Sequence, residues 1–335
     1  MKVARSVRRI AIAGASSLVG NELKQLVEEG RFADADLRLL DEEILAGTLT
    51  ETGGEPAIVQ AVGEDSFRNA DMIFLAGSPG FAQKHYGAAK QAEAVVVDLS
   101  GGLIEVPGAA SRIPCLESVM RQNWTDAAPV YVSPSSPAII CCTLAAAFSR
   151  FQLTRLVVTF FQPVSESGRA GVEELESQTA QLLSLQPTGH ATFDAQVAFN
   201  LLDRYGDAST QRLSDARARI VAEVKRQLGE SIAAPSIQLI HAPVFCGHAF
   251  SAYAEIEESA RGEQITAALR AAHAVVNGSA MPGTGNVSVA GESFIHFAEP
   301  CADQVRRGAW WFWGAADNLR LPAANALAIA ERILQ

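Results

Sequence analysis

The stretch "RIAIAGASSLVGNELKQLVEEG", residues 9–30, joins a short apolar run to a glycine turn and an amphipathic segment. The run at residues 9–13 predicts a buried strand, and the residues after the turn carry apolar side chains at helical spacing. Similar apolar runs alternate with helical stretches further on: "LRLL" (37–40), "DMIFLAG" (71–77) and "AVVVDLS" (94–100). This alternation predicts a parallel sheet with right-handed crossovers, whose ligands bind beyond the carboxyl ends of the strands.

The turn "GASSLVG" is the first candidate for a binding site. A dinucleotide-binding turn needs backbone free of side chains near the pyrophosphate and helix N-terminal amides to hold its charge. Gly14 and Gly20 stand at the two ends of the turn, but Ser17 occupies the place of the middle glycine. Nucleotide binding and a plain helix-capping turn therefore both remain open. The candidate cofactor residues of the turn are Gly14, Ala15, Ser16, Ser17, Leu18 and Val19.

An acidic loop, "DEE" at residues 41–43, follows the second predicted strand. A carboxylate at Asp41 can accept hydrogen bonds from the ribose hydroxyls of NAD, whereas the additional phosphate of NADP would meet like charge. The loop therefore favours NAD over NADP if a nicotinamide cofactor binds. The alternative interpretation is a solvated acidic loop with no ligand.

Composition limits the classes of protein that the chain can represent. The formal net charge of −10 argues against a nucleic-acid partner. No stretch approaches the ~20 apolar residues of a membrane span, and "MKVARSVRR" leads into a glycine turn instead of a signal-peptide cleavage site. These features predict a soluble cytoplasmic protein. Five cysteines without CxxC spacing predict neither a disulfide framework nor a metal site.

The chain changes character near Val130, where longer β-like runs begin. They are "TRLVVTFFQPVS" (154–165), "SIQLIHAPVFCGHAFSAYAEI" (236–256) and "GNVSVAG" (285–291). Together they predict a broad sheet with one face available for a partner. Helices are predicted between them at Gly171 to Leu183 and at Leu213 to Leu228.

The final segment "NLRLPAANALAIAERIL" (318–334) is amphipathic and predicts a helix that returns to the first domain. We therefore expect a dinucleotide-binding domain at residues 1–130, a substrate and dimerisation domain at 131–314, and a C-terminal helix at 315–335. Two intimately packed domains also suit a chain of 335 residues.

Five motifs occur along the chain in this order: "GASSLVG", "VVVDLSGG", "FFQPVS", "HAPVFCGHA" and "AADNLR". In order and spacing they resemble the motifs of the aspartate-semialdehyde dehydrogenase family over nearly the whole chain. The resemblance implies an α/β fold with a Rossmann-type parallel-sheet domain and an α/β dimerisation domain with a broad mixed sheet. It also implies a homodimer, and it adds Gly77 and Asn318 to the cofactor-binding candidates.

The family uses a cysteine thiolate, a histidine acid/base and NADPH to reduce an aspartyl phosphate with loss of phosphate. The family's N-P-N-C-S-T motif falls on "SPSSPA", which places Ser136 at the position of the nucleophilic cysteine. Cys141 and Cys142 follow inside a helix that Pro137 opens, more than one helical turn away. The resemblance assigns Gln162 and His248 to the catalytic site.

The positions that hold an anionic substrate in the family also differ. Ile104 stands at the position of the phosphate-binding arginine, and His241 stands seven residues before His248, where the family has a second arginine. Ala216 and Arg219 correspond to a Glu-x-x-Lys pair. Because guanidinium groups provide most of the specific recognition of phosphate and carboxylate, we expect weak binding of the family's substrate. His241 and Arg219 are the remaining candidates at the substrate positions.

These departures leave three hypotheses. The first is a paralogue of the Usg type, which lacks the catalytic cysteine, keeps the fold and the dimer, and retains His248 for structure. The second is a divergent oxidoreductase that uses NAD or NADP on a less anionic aldehyde or acyl phosphate. The third is an interaction protein that forms mixed dimers with an active family member. An esterase reaction at Ser136 is disfavoured because the G-x-S-x-G elbow is missing.

Overall fold

The computed structural model describes residues 9–120, 127–230, 232–278 and 283–334. The segment 1–8, for which no secretory signal is predicted, lies outside them. The chain forms two compact units. The first comprises Met1–Pro114, Asn123–Ser135 and Pro322–Gln335, and the second comprises Cys115–Gln122 and Ser136–Leu321. The units therefore divide after residues 135 and 321, where the sequence predicts boundaries after residues 130 and 314.

The strands within the described residues are β1 (Arg9–Ala13), β2 (Asp36–Asp41), β3 (Leu49–Thr52), β4 (Glu55–Ile58), β5 (Gln60–Ala61), β6 (Met72–Leu75), β7 (Val95–Asp98), β8 (Ala110–Ser111), β9 (Tyr131–Val132), β10 (Arg155–Gln162), β11 (Ser236–His241), β12 (His248–Glu255), β13 (Val275–Val276), β14 (His296–Phe297), β15 (Cys301–Ala302) and β16 (Ala309–Ala316). The helices are α1 (Leu18–Glu29), α2 (Pro79–Gln91), α3 (Glu117–Met120), α4 (Ser136–Phe148), α5 (Gly168–Leu183), α6 (Leu213–Leu228), α7 (Gly262–Ala271) and α8 (Arg320–Ile333).

The first unit is built on a parallel sheet. Its strand order is β5-β2-β1-β6-β7-β9-β8, and all its pairings are parallel. The central strand β6, "MIFL", is buried on both faces, as expected when helices cover both sides of a sheet. One face packs on α1 through Leu23 and Val27, and the other packs on α2 through Phe81 and Ala82. The parallel-sheet prediction is confirmed.

Helix α8 belongs to the core of the first unit. Its small and branched side chains pack with those of α1 and of the strands β1, β2 and β6. The α8 residues in this cluster are Ala323, Ala326, Leu327, Ile329 and Ala330. Alanine at the contact positions lets the helix approach the sheet closely, while the apolar face of α8 leaves water. Helix α8 thus completes a core whose other buried residues lie between Ile10 and Tyr131.

The second unit contains a mixed sheet. Its order is β11-β10-β12-β16-β14-β13, with β15 paired to β16. Strands β10 and β11 are parallel, whereas β12 pairs antiparallel with β10 on one side and with β16 on the other. Strand β12 alternates buried and half-buried residues along its length. Phe160, Phe250 and Phe312 fill the buried face, so the predicted broad mixed sheet is confirmed.

Two local predictions in this unit differ from the structure. The run "GNVSVAG" forms turns, not a strand, and Val287 within it is 83% exposed. Trp313 donates its ring N–H to the carbonyl of Thr284 at 2.7 Å, and Gly291 donates its amide to Asp317. These bonds fix the segment in a folded-back form that a strand could not adopt. In addition, "AWWFWGAA" forms the central strand β16, which the sequence interpretation did not include.

Candidate active site and cofactor turn

Gly14 directly follows β1 and has a backbone conformation that only glycine adopts easily. Its φ is +87°, and a Cβ placed there would lie 2.3 Å from the backbone nitrogen of Gly77. A Cβ on Gly77 would in turn lie 2.6 Å from the ring of Phe81. The chain after β1 and the chain after β6 therefore touch backbone to backbone, at the carboxyl edge where ligands of parallel sheets bind.

Ser17, at the middle position of the turn, is the N-cap of α1. Its hydroxyl accepts a hydrogen bond from the amide of Gly20 and donates one to the carbonyl of Ala76, both at 2.8 Å. The capping interpretation of the turn is thus correct. It does not exclude a ligand, because the amides of Leu18 and Val19 lie in the first helical turn, where no intrahelical acceptor exists.

Asp41, at the end of β2, is buried and aimed at the same turn. One carboxylate oxygen accepts the amide of Ser16 at 2.8 Å, and the other accepts the amide of Glu42 at 2.9 Å. Glu42 itself pairs with Lys84 at 2.8 Å, and this hydrogen bond lowers the pKa of Glu42. The acidic loop is therefore ordered around the turn, with the Asp41 carboxylate placed beside the candidate cofactor residues.

Ser136 is the first residue of α4 and is only 2% exposed. Among the described residues its hydroxyl oxygen has no hydrogen-bond partner. Cys141 and Cys142 lie five and six residues further along the same helix, more than one turn away, and are fully buried, as the sequence predicts for thiols inside this helix. Burial raises the pKa of both thiols, so neither provides a thiolate at neutral pH.

Three of the predicted site residues meet at one edge of the mixed sheet. Gln162 ends β10 beside His241, the last residue of the parallel strand β11. His248 begins the antiparallel strand β12. It directly precedes Ala249, which pairs with Phe161 of β10. All three side chains lie on the buried face that also carries Phe160 and Phe250, because residues alternate between faces along a strand.

His248 is completely buried, and neither of its ring nitrogens has a hydrogen-bond partner among the described residues. Its Nδ1 lies 3.9 Å from a carboxylate oxygen of Glu166. Burial lowers the pKa of His248, and the charge of Glu166 opposes part of that shift. The ring is therefore neutral near pH 7 and keeps one nitrogen as a free acceptor, which is the state that a general base requires.

Asn318 closes a hydrogen-bonded cluster around this histidine. Its side-chain oxygen accepts the amide of Gly247 at 2.8 Å, and its side-chain nitrogen donates to Glu166 at 2.8 Å and to Ser165 at 3.1 Å. The side chain thus holds the residue before His248 and the acid beside it. Both ends of the amide thus have partners within the protein, and the predicted cofactor binding of Asn318 stays a prediction.

His241, predicted at a substrate position, is packed into an aromatic cluster. Its Nδ1 lies 3.3 Å from the hydroxyl of Tyr205 and its Nε2 lies 3.2 Å from the carbonyl of Val197. The rings of Phe193 and Tyr205 contact it, and burial lowers its pKa. A neutral imidazole with both nitrogens occupied cannot replace an arginine that binds an anion. The side chain therefore packs and hydrogen-bonds within the protein, and the substrate role of His241 stays a prediction.

The other two substrate positions also lack a buried cation. Arg219 lies on α6 with an exposed side chain, while Ile104 is half-buried in the turn after β7. Asp98 organises that turn by accepting the amides of Ser100 and Leu103, at 2.8 and 2.9 Å. The turn is therefore held by a carboxylate and carries no guanidinium.

The histidines give the protein a predicted pH dependence. Burial lowers the folded-state pKa of His241 and His248, whereas the unfolded chain protonates near the ordinary value of about 6.5. Below that pH the unfolded state binds more protons, so the free energy of unfolding should fall from pH ~6.5 to ~5 and change little above ~7. Urea unfolding across this range measures it. In His248→Gln the free energy of unfolding should depend less on pH, whereas the exposed-residue control His273→Asn should keep the wild-type pH dependence. A wild-type pH dependence in His248→Gln would contradict the lowered pKa of His248.

Glu166 is a site residue that sequence reasoning missed. The only signal is a carboxylate four residues after Gln162, in the segment that enters α5. Its proximity to His248 depends on the crossing of β10 and β12, and its hydrogen bond to Asn318 joins positions 152 residues apart. Contacts between positions so distant in sequence cannot be predicted without knowledge of the fold.

No group of three or more His, Cys, Asp or Glu side chains in the described part of the chain is placed to hold a metal ion. Among the described helices, none has both the length and the apolar character needed to span a bilayer.

Comparison with known proteins agrees with this architecture. Residues 9–111 match the family model "Semialdehyde dehydrogenase, NAD binding domain", and residues 144–321 match "Semialdehyde dehydrogenase, dimerisation domain". The chain is 30% identical to the USG-1 protein homolog of Pseudomonas aeruginosa, over 97% of both chains. It is 24% identical to the aspartate-semialdehyde dehydrogenase of Rickettsia conorii, again over 97% of both.

Solved structures show the same fold. The structure of a probable aspartate-semialdehyde dehydrogenase from Pseudomonas aeruginosa superposes with a TM-score of 0.88 at 29% identity, covering 98% of this chain and 99% of that one. Aspartate semialdehyde dehydrogenase II from Vibrio cholerae gives 0.86 at 24% identity with the same coverage. Both halves of the chain thus match in sequence and in structure, and the chain belongs to the aspartate-semialdehyde dehydrogenase family.

Proposed function

We propose that this chain does not carry out the phosphate-dependent semialdehyde dehydrogenation of its family. Ser136 carries the proposal, because it occupies the position that the family resemblance gives to the nucleophilic cysteine. A serine hydroxyl is a weak nucleophile until an adjacent base removes its proton. Ser136 Oγ and both ring nitrogens of His248 each lack a hydrogen-bond partner in the described structure, so no base activates this hydroxyl.

The neighbouring thiols do not replace the missing cysteine. Cys141 and Cys142 are enclosed in α4, and burial holds their pKa values above the ordinary range. Burial also raises the pKa of Cys115 to about 11. An acyl group on Ser136 would form an oxygen ester, which is a poorer acyl donor to phosphate than a thioester. Substrate binding is weakened in addition, because Ile104 and His241 stand where the family has arginines that hold its anionic substrate.

A second candidate function is a divergent oxidoreductase, favoured by two preserved features. The unbonded ring of His248 is a neutral base, and the turn after β1 keeps the amides of Leu18 and Val19 in its first helical turn. These amides would hold a pyrophosphate, and the carboxylate of Asp41 would face the adenosine ribose. A bound nicotinamide would supply hydride transfer. The carboxylate favours NAD, since a 2′-phosphate would meet its negative charge.

Turnover assays distinguish the two candidates. Purified protein with aspartate semialdehyde, phosphate and either NAD or NADP should form no reduced cofactor above the rate without protein. An active family member serves as the positive control for the assay. Ser136→Cys should stay inactive because His241 and Ile104 still supply no guanidinium. Phosphate-dependent turnover of aspartate semialdehyde by the unaltered chain would overturn the first candidate, whereas turnover of a less anionic aldehyde without turnover of aspartate semialdehyde would support the second.

Cofactor binding has its own test. Isothermal titration with each dinucleotide should show NAD binding more tightly than NADP, and Asp41→Asn should narrow the difference by about fivefold to tenfold as one charge is removed. Lys24→Gln, a charge change at a half-buried position of α1 outside the turn, is the matched control. If neither dinucleotide binds at millimolar concentration, the turn is a capping structure alone and the oxidoreductase candidate fails.

We further propose that the chain forms a homodimer through its second unit. Trp311 and Trp313, on the open face of the mixed sheet, are 46% and 41% exposed, and Phe161 and Tyr253 lie beside them. Such a face is typical of an interface. A mixed dimer with an active family member is the alternative occupant. Native mass spectrometry of the chain alone, and after co-expression with a tagged active member, separates the two by mass.

A further inference from the structure

A cavity of about 270 Å³ opens beside the start of α6, and Tyr205, the partner of His241, forms part of its lining. Its floor is apolar and is formed by Tyr205, Leu213 and Leu239, which are 7%, 4% and 5% exposed. Its rim is polar and charged, and carries Arg204, Arg212 and Arg217 together with Ser214. An enclosed apolar floor with a few convergent charged groups is the usual form of a small-molecule site.

The wall of the cavity is held in place by its own hydrogen bonds. In the loop between α5 and α6, the amide of Gly206 bonds to the carbonyl of Phe193 at 3.0 Å and the amide of Ala208 bonds to Asp194 at 2.9 Å. Ser209 donates its hydroxyl to the carbonyl of Thr192 at 2.9 Å. The wall therefore exists before any ligand arrives, so binding costs little ordering entropy.

The three arginines have no anionic partner. Within the described part of the chain, Arg204, Arg212 and Arg217 form no ion pair and no side-chain hydrogen bond. Two carboxylates, Asp203 and Asp207, also line the cavity but pair with none of the guanidinium groups. Three unpaired like charges around one concave surface repel each other, and an anion between them would relieve that repulsion.

The backbone beneath them adds to the positive potential. Arg212 is the N-cap of α6 and makes no capping hydrogen bond. An arginine at this end of a helix is unfavourable, because the helix dipole is positive there. The amides of Leu213 and Ser214, in the first turn, have no intrahelical acceptor. Leu213 and Ser214 also line the cavity, so the first turn of α6 borders the same space as the three arginines.

This cavity differs from the family's substrate position on the same helix. At 100° per residue, Arg217 and Arg219 project about 160° apart around α6. Arg219 therefore lies on the opposite flank and does not line the cavity. We propose that the cavity at Arg204, Arg212 and Arg217 binds a small oxyanion, a phosphate or a carboxylate carried by a small molecule. Asp203 and Asp207 disfavour an extended polyanion.

Isothermal titration with inorganic phosphate and with succinate tests the site and separates the two kinds of oxyanion. At least one should bind with a millimolar or lower dissociation constant at ~50 mM salt. Loss of one charge-assisted contact corresponds to about tenfold in affinity, so Arg217→Gln and Arg212→Gln should each weaken binding about tenfold. Both side chains are exposed, so the variants should fold as the unaltered chain does.

Arg219→Gln is the matched control, because it removes the same charge from the same helix on the opposite flank. Its effect on binding should stay below about twofold. Equal losses in Arg217→Gln and Arg219→Gln would show a general charge effect and overturn the site. Absence of binding by both anions at 10 mM would overturn it as well. Neither outcome depends on Ser136, so the proposed loss of dehydrogenase activity stands or fails separately.

Discussion

Gly14→Ala should lower the free energy of unfolding by about 3 kcal/mol or more, or prevent the first unit from folding. A residue with a side chain at φ +87° costs about 1 to 3 kcal/mol in backbone strain. The new Cβ would also lie 2.3 Å from the backbone nitrogen of Gly77, so β1 and β6 would have to separate at their carboxyl ends. Equilibrium urea unfolding followed by circular dichroism measures the change.

Gly87→Ala provides the control for this experiment. Gly87 lies inside α2, and a Cβ there would have no atom within 4 Å. Alanine at an exposed position inside a helix should stabilise the protein by about 0.5 to 1 kcal/mol. The same chemical change should thus have opposite signs at the two positions. Equal effects would show that the close approach at Gly14 does not exist in solution.

Gln178→Ala should cost about 3 kcal/mol or more in the free energy of unfolding. Gln178 is fully buried on α5, and its side chain holds the segment that follows the helix. The oxygen accepts the amides of Val197 and Ala198, at 2.7 and 3.2 Å. The nitrogen donates to the carbonyls of Gly189 and Ala195, at 2.8 and 3.0 Å. Each buried group left without a partner costs about 1 to 3 kcal/mol.

Hydrogen exchange gives this prediction a local measurement. The amides of Val197 and Ala198 should lose protection in Gln178→Ala, while the amides of β1 should change only with global stability. Glu176→Ala, an exposed truncation on the same helix, should change the free energy of unfolding by less than about 0.5 kcal/mol. Retained protection at Val197 in Gln178→Ala would show that other contacts hold the segment.

The parallel sheet could be predicted because its signal is local. Residues 9–13 and 71–77 are short apolar runs bounded by turns, and a strand buried on both faces needs such a run. The segment "GNVSVAG" shows the limit of the same method. Its alternation resembles a strand, but bonds from Trp313 and to Asp317 decide its conformation, and these partners lie more than 25 positions away.

The site could be predicted in position but not in chemistry. The family resemblance assigned Gln162 and His248 to one site, and the structure places both at the same edge of the mixed sheet. The partners of His241 could not be predicted, since Tyr205 and Val197 come from an irregular loop whose path no periodicity reveals. The roles of side chains therefore depended on contacts between segments distant in sequence.

Helix α8 has a consequence for how the protein is made. The core of the first unit takes Ala326 and Ile329 from this helix, yet the ribosome synthesises all of Ser136–Leu321 before them. The α8-binding side of the sheet in the first unit therefore stays uncovered while the second unit is synthesised. Domains usually fold in the order of their synthesis. Here the second unit is synthesised before the first unit can complete its core. Until then the apolar side of the early strands stays exposed to solvent, which is the kind of surface that chaperones bind.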